Sequence, residues 1–273
     1  MTKLPAGSWD THCHVFGPAA DYPWAEPRPY TPAEAPRETL FALHAKFGVD
    51  RAVIVHPTCH GTDMRVTLDA IAATGGRYRG IALVQPDISF AELEALHAGG
   101  IRGIRFNYTR RLGEVPSPEL LLGLSERIAP LGWHIVLHFD PDDMPGFEAI
   151  AGQLPVPYVI DHMGRIRAER GIDQEPFQAL LRMAADPKCW IKISAADRAS
   201  SEDRGYRDTV PFAHALIAAQ PDRILWGTDY PHPGVRLPVP EEADLVELLH
   251  VFVPDEALRH RILIDNPERL YGN

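Results

Sequence analysis

Histidine stands at the end of the first apolar segment of the chain, in a pattern that suits chemistry. The segment runs into the letters DTHCH, which place His12 and His14 at positions i and i+2. In an extended strand, two residues with this spacing point to the same face. Imidazole is a common protein ligand for zinc and similar metals, and it also acts as an acid or base near neutral pH. The pair is therefore a candidate metal site or catalytic centre.

Three later apolar segments end in a similar way. His138 closes one, Asp161 and His162 follow the next, and Asp229 follows the last, within the letters WGTDYP. One His-x-His pair is often only packed or solvent-exposed, but packing does not explain histidine or aspartate at four such ends. In a parallel barrel the carboxyl ends of the strands carry the catalytic residues. Histidines on predicted helices, such as His44, are expected to face solvent.

Arginines form a second set of candidates. Arg105 and Arg111 flank the fourth apolar segment, Arg165 follows His162 by three residues, and Arg198 follows the seventh segment. A single arginine more commonly forms a surface salt bridge, but four on successive loops favour a shared role. The planar guanidinium binds a carboxylate through two hydrogen bonds, so converging arginines suit a small ligand with two anionic groups.

Eight apolar segments alternate with stretches of helical spacing, and they define the elements that must position these side chains. Valine-rich and isoleucine-rich strands that alternate with helices imply a parallel sheet covered on both faces. Eight such units predict an α/β fold of the (β/α)₈ TIM-barrel type. An open doubly wound sheet is the alternative, but no glycine-rich phosphate loop follows the first strand. The predicted strands are Trp9–Val15, Arg51–Pro57, Gly80–Val84, Gly103–Phe106, His134–Phe139, Tyr158–Asp161, Trp190–Ser194 and Arg223–Trp226.

The chain length of 273 residues suits one barrel domain over residues 1–273. The segment at about 16–36 is rich in proline and aromatic residues and is long for a loop between strand and helix. We interpret this insert as a cover over the mouth of the barrel. It contains Tyr30, whose hydroxyl is a candidate hydrogen-bond partner for a ligand, as is that of Thr58 after the second strand.

Composition and charge exclude several classes of protein. The formal net charge is −10 and the chain has no run of lysine or arginine, which argues against nucleic-acid and membrane partners. No apolar segment approaches the ~18 residues of a membrane-spanning helix, and the first residues lack the apolar stretch of a secretory signal. The cysteines, Cys13, Cys59 and Cys189, are far apart and predict no disulfide framework. We therefore expect a cytoplasmic protein.

Several motifs resemble the 2-pyrone-4,6-dicarboxylate lactonase family of the amidohydrolase superfamily, whose relatives include sulfomuconolactone hydrolases. The similarity runs in the same order from about Trp9 to Tyr271. It implies an amidohydrolase barrel and hydrolysis of a small anionic lactone. The motifs are DTHCHVFGP, RPYTP, PTCHGTD, GIRGIRFNYTRRL, LGWHIV, DHMGR, AAQPDRILWGTDYPHP and DNPERLY.

The resemblance also implies a role for individual residues. Asp229 would be the general base that takes a proton from water. His12, His14 and His162 would surround the carbonyl that is attacked. The residues that hold the substrate would be Tyr30, Thr58, Arg105, Arg111, Arg165 and Arg198.

One departure from the family pattern concerns metal. The lactonase has a tyrosine at the end of the fifth strand and works without a metal, whereas this chain has His138 there. In metal-dependent relatives, such as the aminocarboxymuconate semialdehyde decarboxylase group, a histidine at this position completes a mononuclear site. By that likeness one divalent ion, zinc, would be bound by His12, His14, His138 and Asp229. The alternative is a metal-free site in which His138 donates a hydrogen bond to a substrate carboxylate.

These observations predict a hydrolase that opens a carboxylated or sulfonated lactone, such as 2-pyrone-4,6-dicarboxylate or a muconolactone, in the catabolism of aromatic compounds. Two other functions stay open at this point. The same fold and residues suit a metal-dependent non-oxidative decarboxylase of a related small acid. A non-catalytic binding protein for small dicarboxylates would need the arginines, but it would not need Asp229 and the histidines.

Overall fold

Eight parallel strands form one sheet whose spatial order follows the sequence from β1 to β8. The computed structural model describes residues 3–235 and 238–272. This arrangement confirms the predicted alternation of strands and helices and the predicted (β/α)₈ barrel. The strands are β1 Trp9–Cys13, β2 Arg51–Val55, β3 Tyr78–Ala82, β4 Ile101–Tyr108, β5 His134–Phe139, β6 Tyr158–Ile160, β7 Cys189–Lys192 and β8 Ile224–Leu225.

Hydrogen bonds between β1 and the segment after β8 close the barrel. The backbone nitrogen of Thr11 donates to the carbonyl of Trp226 at 3.0 Å, and that of Asp229 donates to the carbonyl of His12 at 2.8 Å. The strand pairing in the rest of the sheet is parallel throughout. Closure therefore places the last strand end directly beside the first, and Asp229 beside His12.

A glycine and a buried carboxylate make this close approach possible. A Cβ atom at Gly227 would lie 2.5 Å from the backbone nitrogen of His12, so no other residue fits here without a shift of the backbone. The Oδ1 atom of Asp10 accepts hydrogen bonds from the backbone nitrogens of His12 and Thr228, both at 3.0 Å. Asp10 thus joins β1 to the segment after β8.

The helices pack around the outside of the barrel. A large apolar cluster contains residues of both the strands and the helices, among them Ile54 of β2 and Leu40 of α1. Within the described residues, no helix is long and apolar enough to cross a membrane. The helices are α1 Arg37–Phe47, α2 Arg65–Ala72, α3 Phe90–Ala98, α4 Pro118–Ile128, α5 Glu148–Ala151, α6 Glu175–Ala184, α7 Ala196–Ala199, α8 Val210–Ala219, α9 Glu242–Phe252, α10 Glu256–His260 and α11 Asn266–Tyr271.

A second, smaller cluster fills the interior of the barrel. Val53, Val136, Val159 and Leu225 from four different strands belong to it, and all are fully buried. Parallel barrels are filled by branched side chains in this way, so the interior is a packed core and not a pore. Because this core fills the interior of the barrel, the polar residues at the carboxyl ends of the strands are supported by rigidly packed side chains.

The long insert after β1 contains no helix or strand among its described residues 17–34. Its two ends are tied together, since Phe16 and Ala35 exchange backbone hydrogen bonds of 2.9 and 2.8 Å. Phe16, Ala35 and Cys59 form a small buried cluster, and Trp24 and Tyr30 pack against it. Residues 1–2, 236–237 and 273 belong to the predicted domain but lie outside the described residues.

Candidate active site

A cavity of about 460 Å³ opens at the carboxyl ends of the strands. Nine of the eleven predicted site residues line it. Of the other two, His12 lies fully buried, and Arg165 lines a neighbouring cavity. The lining residues are His14, Tyr30, Thr58, Arg105, Arg111, Leu112, His138, His162, Arg198, Asp229, Pro233 and Gly234.

The carboxylate of Asp229 is the centre of the site. Its Oδ1 atom faces the Nε2 atoms of three histidines: His14 at 3.3 Å, His12 at 3.6 Å and His162 at 3.8 Å. Its Oδ2 atom accepts hydrogen bonds from Nε and Nη2 of Arg198, at 2.9 and 2.6 Å. Burial alone would raise the pKa of Asp229, but the charge of Arg198 outweighs this effect and holds the pKa well below its usual range. Asp229 is therefore ionised at neutral pH.

His14 shows why this group of side chains suits a cation. Its Nδ1 atom lies 2.7 Å from the carbonyl oxygen of Val55, so Nδ1 carries the proton and donates it. In the neutral ring the lone pair on Nε2 then faces the Asp229 carboxylate, and two acceptors meet. A proton or a metal ion between them removes this repulsion.

The donor set at this point fits a divalent metal. Ligand atoms of His12, His14 and Asp229 all lie within 4.8 Å of one another. Two imidazole nitrogens and one carboxylate oxygen match the three protein ligands of a catalytic zinc site, which keeps a further position for water. The structure thus brings together three of the four predicted metal ligands.

The fourth predicted ligand, His138, lies in the cavity but apart from that group. Its Nδ1 atom is 3.2 Å from Oδ1 of Asn107, and its ring meets that of His162 edge-on at a centroid distance of 5.7 Å. Burial, together with the charge of Arg105, lowers the pKa of His138 well below its usual value. The ring is therefore neutral. With Nδ1 donating to Asn107, the buried Nε2 atom is left as an acceptor that has no hydrogen-bond partner within the described residues.

A buried ion pair lies beneath the cavity. The ammonium of Lys192 is 3.1 Å from Oδ1 of Asp161 and 3.2 Å from Nδ1 of His12. Nη2 of Arg105 lies 3.0 Å from the other oxygen of Asp161. Burial would raise the pKa of Asp161, but Lys192, His12 and Arg105 hold it well below the usual range. Asp161 thus links Arg105, which lines the cavity, to His12, which faces Asp229.

The sequence analysis named Asp161 as a strand-end residue but gave it no role, and it did not assign Lys192 or Ser194 to the site. The hydroxyl oxygen of Ser194 lies 2.9 Å from Nδ1 of His162 and so orients that ring. The available signal was a lysine inside the apolar run WIKIS, because a charged residue in a buried strand needs a partner. The expectation for His44 was wrong. It is buried, and its ring nitrogens lie 2.5 Å from the Tyr78 hydroxyl and 3.2 Å from Asp10.

Left-handed backbone conformations occur in the loops that carry site residues. His162, Met163 and Arg165 have φ values of 56°, 51° and 52°, and Asp229 has 63°. Residues other than glycine adopt such values at a cost, which the surrounding structure must offset. Gly164, between Met163 and Arg165, also has a positive φ, of 65°. The loops after β6 and β8 are therefore locally strained at the positions that carry site residues.

The four predicted anion-binding arginines differ in their partners. Arg105 and Arg198 line the cavity, but each binds a buried carboxylate of the site. Arg111 also lines the cavity, and it forms no ion pair with any residue that the structure describes. Arg165 lies outside this cavity and binds Oδ1 of Asp140 at 2.9 Å. Arg111 is thus the cavity arginine that is free for an anionic ligand.

A barrel with histidines and an aspartate at its strand ends is the architecture of amidohydrolases, and a family comparison agrees. Residues 9–273 match the amidohydrolase family model, and the chain belongs to this family. It is 42% identical to the 2-pyrone-4,6-dicarboxylate hydrolase of Comamonas testosteroni, over 98% of this chain and 91% of that protein. It is 43% identical to the 4-sulfomuconolactone hydrolase of Rhizobium radiobacter, with the same coverage.

A solved structure shows the same fold. The probable 2-pyrone-4,6-dicarboxylic acid hydrolase of Acinetobacter baumannii, determined with citric acid bound, matches with a TM-score of 0.87 at 26% identity. The match covers 98% of this chain and 100% of that chain. The family resemblance seen in the motifs is thereby confirmed.

Proposed function

We propose that the protein is a lactone hydrolase that opens a small ring bearing carboxylate or sulfonate groups, in the catabolism of aromatic compounds. The observation that carries this proposal is the carboxylate of Asp229, held among three histidines in a cavity that arginines also line. The names of the two relatives support the substrate class, and neither relative is a decarboxylase. A protein that only binds dicarboxylates would not need this arrangement.

In the proposed reaction the arginines and hydroxyls position the ring. Arg111 has no acidic partner among the described residues, so it binds an anionic group of the substrate through its planar guanidinium. Tyr30 and Thr58 line the same cavity. Burial raises the pKa of Tyr30, so its hydroxyl stays neutral and donates a hydrogen bond. Holding the anionic groups fixes the carbonyl carbon relative to the water that attacks it.

Asp229 then acts as the base. Its ionised Oδ1 takes a proton from water while the water oxygen bonds to the carbonyl carbon. The ring C–O bond breaks, and the same proton passes to the leaving oxygen. His12 and His162, whose Nε2 atoms face Oδ1, hold the water beside it. A substrate anion that drew Arg198 away from Oδ2 would raise the pKa of Asp229 and strengthen the base.

We further propose that the site holds one divalent ion, zinc. His12, His14 and Asp229 are the residues that would bind it. His138 is a further candidate ligand, because its neutral ring has an unprotonated Nε2. When bound, such an ion polarises a carbonyl and lowers the pKa of a coordinated water.

We also propose that the enzyme works in the cytoplasm. Cys13, Cys59 and Cys189 are all buried and unpaired, which supports a reducing compartment. Its partner there would be the small anionic lactone, with no nucleic acid and no membrane involved.

The test is turnover of a panel of lactones by the intact protein. The panel contains 2-pyrone-4,6-dicarboxylate, a carboxylated muconolactone and an uncharged lactone of similar size, with acid release and CO₂ release followed separately. We expect acid release from the anionic lactones and loss of turnover by orders of magnitude in Asp229→Asn, with ligand binding retained. The control is Asp142→Asn, which removes an exposed carboxylate that pairs with Arg170 away from the cavity and should retain turnover. CO₂ release, or binding without turnover, would overturn the proposal.

A further inference from the structure

The candidate base Asp229 lies in a strained part of the backbone that hydrogen bonds fix on both sides. Its φ of 63° is in the left-handed region, which residues other than glycine adopt at a cost. The backbone nitrogens of Thr228, Asp229 and Tyr230 each donate a hydrogen bond, of 3.0, 2.8 and 3.0 Å. That of Asp229 ends on the carbonyl of His12, whereas the other two end on side chains. Side chains therefore hold the residues on either side of Asp229.

Thr228 supplies one of these side chains. Its hydroxyl accepts the hydrogen bond from the nitrogen of Tyr230, and it donates one of 2.6 Å to Oδ2 of Asp10. The backbone nitrogen of Thr228 donates to the other oxygen of the same carboxylate. Thr228 is thus bound to Asp10 at two points and also holds the peptide group that follows Asp229.

Asp10 is the buried anchor to which Thr228 is bound, and it has no exposed surface. Its Oδ1 accepts from the backbone nitrogens of His12 and Thr228, and its Oδ2 accepts from the Thr228 hydroxyl. The Nε2 atom of His44 lies 3.2 Å from Oδ2. Burial would raise the pKa of Asp10, but the hydrogen bonds from His44 and Thr228 outweigh this effect and lower it. The carboxylate is therefore ionised and acts only as an acceptor.

His44 extends this network from β1 to helix α1. Because Asp10 only accepts, Nε2 of His44 carries a proton and donates it, and Nδ1 lies 2.5 Å from the Tyr78 hydroxyl. Ligand atoms of Asp10, Cys13 and His44 also lie within 4.8 Å of one another. Hydrogen bonds already occupy the carboxylate and Nε2, so we interpret this group as a hydrogen-bond network and not as a metal site.

We propose that His44, Asp10 and Thr228 form a buried clamp that positions the candidate base. They are positioning residues, because none of them lines the active-site cavity in the described part of the chain. The clamp fixes the backbone on both sides of Asp229, and so it keeps Oδ1 facing the histidines at 3.3 to 3.8 Å. A displacement of about 1 Å slows such a reaction by about 100-fold. The catalytic role of the clamp rests on the proposed lactone hydrolysis, whereas its hold on the backbone does not.

The first experiment replaces the Thr228 hydroxyl by a methyl group. Thr228→Val keeps the shape of the side chain and removes both hydrogen bonds of the hydroxyl. We expect kcat for an anionic lactone to fall by about 10-fold to 100-fold while KM stays within about twofold, because no substrate contact is lost. Thr228→Ser keeps the hydroxyl and should recover most of kcat.

The matched control is Thr209→Val. It removes the hydroxyl of a fully buried threonine, which donates to the carbonyl of Tyr206 at 2.6 Å and lies outside the clamp. This variant should keep the kcat of the parent, with urea unfolding used to verify that every protein is folded in the assay. An unchanged kcat in Thr228→Val, or a loss that Thr228→Ser does not recover, would overturn the clamp.

The second experiment tests the contribution of helix α1. His44→Leu removes the donor to Asp10, whereas His44→Gln places an amide N–H near the position of Nε2. We expect kcat to fall by at least about threefold in His44→Leu, with KM unchanged, and to stay close to the parent in His44→Gln. Equal kcat in His44→Leu and the parent would exclude His44 from the clamp.

The third experiment does not depend on turnover. Crystal structures of Thr228→Val and the parent, in the same crystal form, are compared at Asp229. We expect φ to leave the left-handed region, or Oδ1 to move by at least about 0.5 Å relative to the histidines. An unchanged Asp229 would refute the clamp. If the protein turns over no lactone, the proposed function fails, and this comparison still decides whether the clamp exists.

Discussion

Replacement of Lys192 by methionine tests the buried ion pair beneath the cavity. The change removes the ammonium and keeps most of the apolar side chain. Lys192 and Asp161 both have no exposed surface, and Nζ lies 3.1 Å from Oδ1. The variant leaves Asp161 with Arg105 at 3.0 Å and His12 at 3.2 Å. Its carboxylate is then only partly compensated in a region that excludes water.

The expected loss of stability follows from this burial. Removal of one partner from a buried ion pair costs about 3–5 kcal/mol, because the remaining charge stays desolvated. Arg105 still neutralises part of the charge of Asp161, so we expect a loss near the lower end, about 3 kcal/mol. That is a large share of the roughly 5–15 kcal/mol by which native domains are stable.

The assay is urea unfolding of Lys192→Met and the parent, with the slope of the free energy against urea compared as well as the midpoint. The control is Arg170→Met, which breaks the pair with Asp142 at 2.8 Å, where the side chains are 40% and 60% exposed. An exposed pair contributes little, so this variant should lose less than about 1 kcal/mol.

Two results would refute the reasoning about Lys192. One is a loss below about 1 kcal/mol at an unchanged slope, which would mean that the native structure does not depend on a charged Lys192. The other comes from a double-mutant cycle with Asp161→Asn. The two changes should couple by at least about 1 kcal/mol, because the residues are in contact. Simple additivity would show that the pair contributes nothing.

Three further predictions concern the anion, the pH dependence and the metal. Arg111→Met removes one side of a charge pair, so it should weaken binding of a dianionic lactone by about 2 kcal/mol and leave binding of an uncharged lactone nearly unchanged. Inhibition assays that show the same loss of affinity for both lactones would contradict this. Burial lowers the pKa of His56 and His134 to about 3, so the folded state leaves both neutral while the unfolded chain protonates them near pH 6.5. The free energy of unfolding should therefore fall by about 1.4 kcal/mol per pH unit for each histidine as the pH drops below 6.5. His134→Gln should make the free energy of unfolding, measured by urea unfolding at several pH values, depend less steeply on pH. Chelation should remove about one equivalent of zinc per chain, and activity should be lost with it. The variant His138→Ala should likewise lose zinc and activity. Full activity in protein that elemental analysis shows to be free of metal would exclude the ion.

Much of the fold and part of the site follow from local patterns in the sequence. The alternation of valine-rich and isoleucine-rich segments with helical stretches predicts the parallel barrel, because buried strands and amphipathic helices have distinct periods. Once a barrel is predicted, the carboxyl ends of its strands must share one mouth. The convergence of His14, His138, His162 and Asp229 on one cavity is the consequence.

The pairings within the site could not be predicted in this way. Lys192 contacts His12, which is 180 residues away in the sequence, and Arg198 contacts Asp229, which is 31 residues away. These contacts form only because the strands that carry the residues close into a barrel. Side-chain charges attract over a few ångströms, so which carboxylate binds which arginine depends on rotamers and burial.

The division between sequence and structure is sharpest at the metal site. Residue types and strand ends identified the histidines and Asp229 as candidate ligands. The tertiary structure decided that His12, His14 and Asp229 lie within 4.8 Å of one another, whereas His138 stands with Asn107. The parallel direction of the strands determines which mouth a side chain at a strand end reaches. Its exact neighbours depend on the closure of β1 against β8 and on the charges buried beneath them, and these are properties of the folded chain.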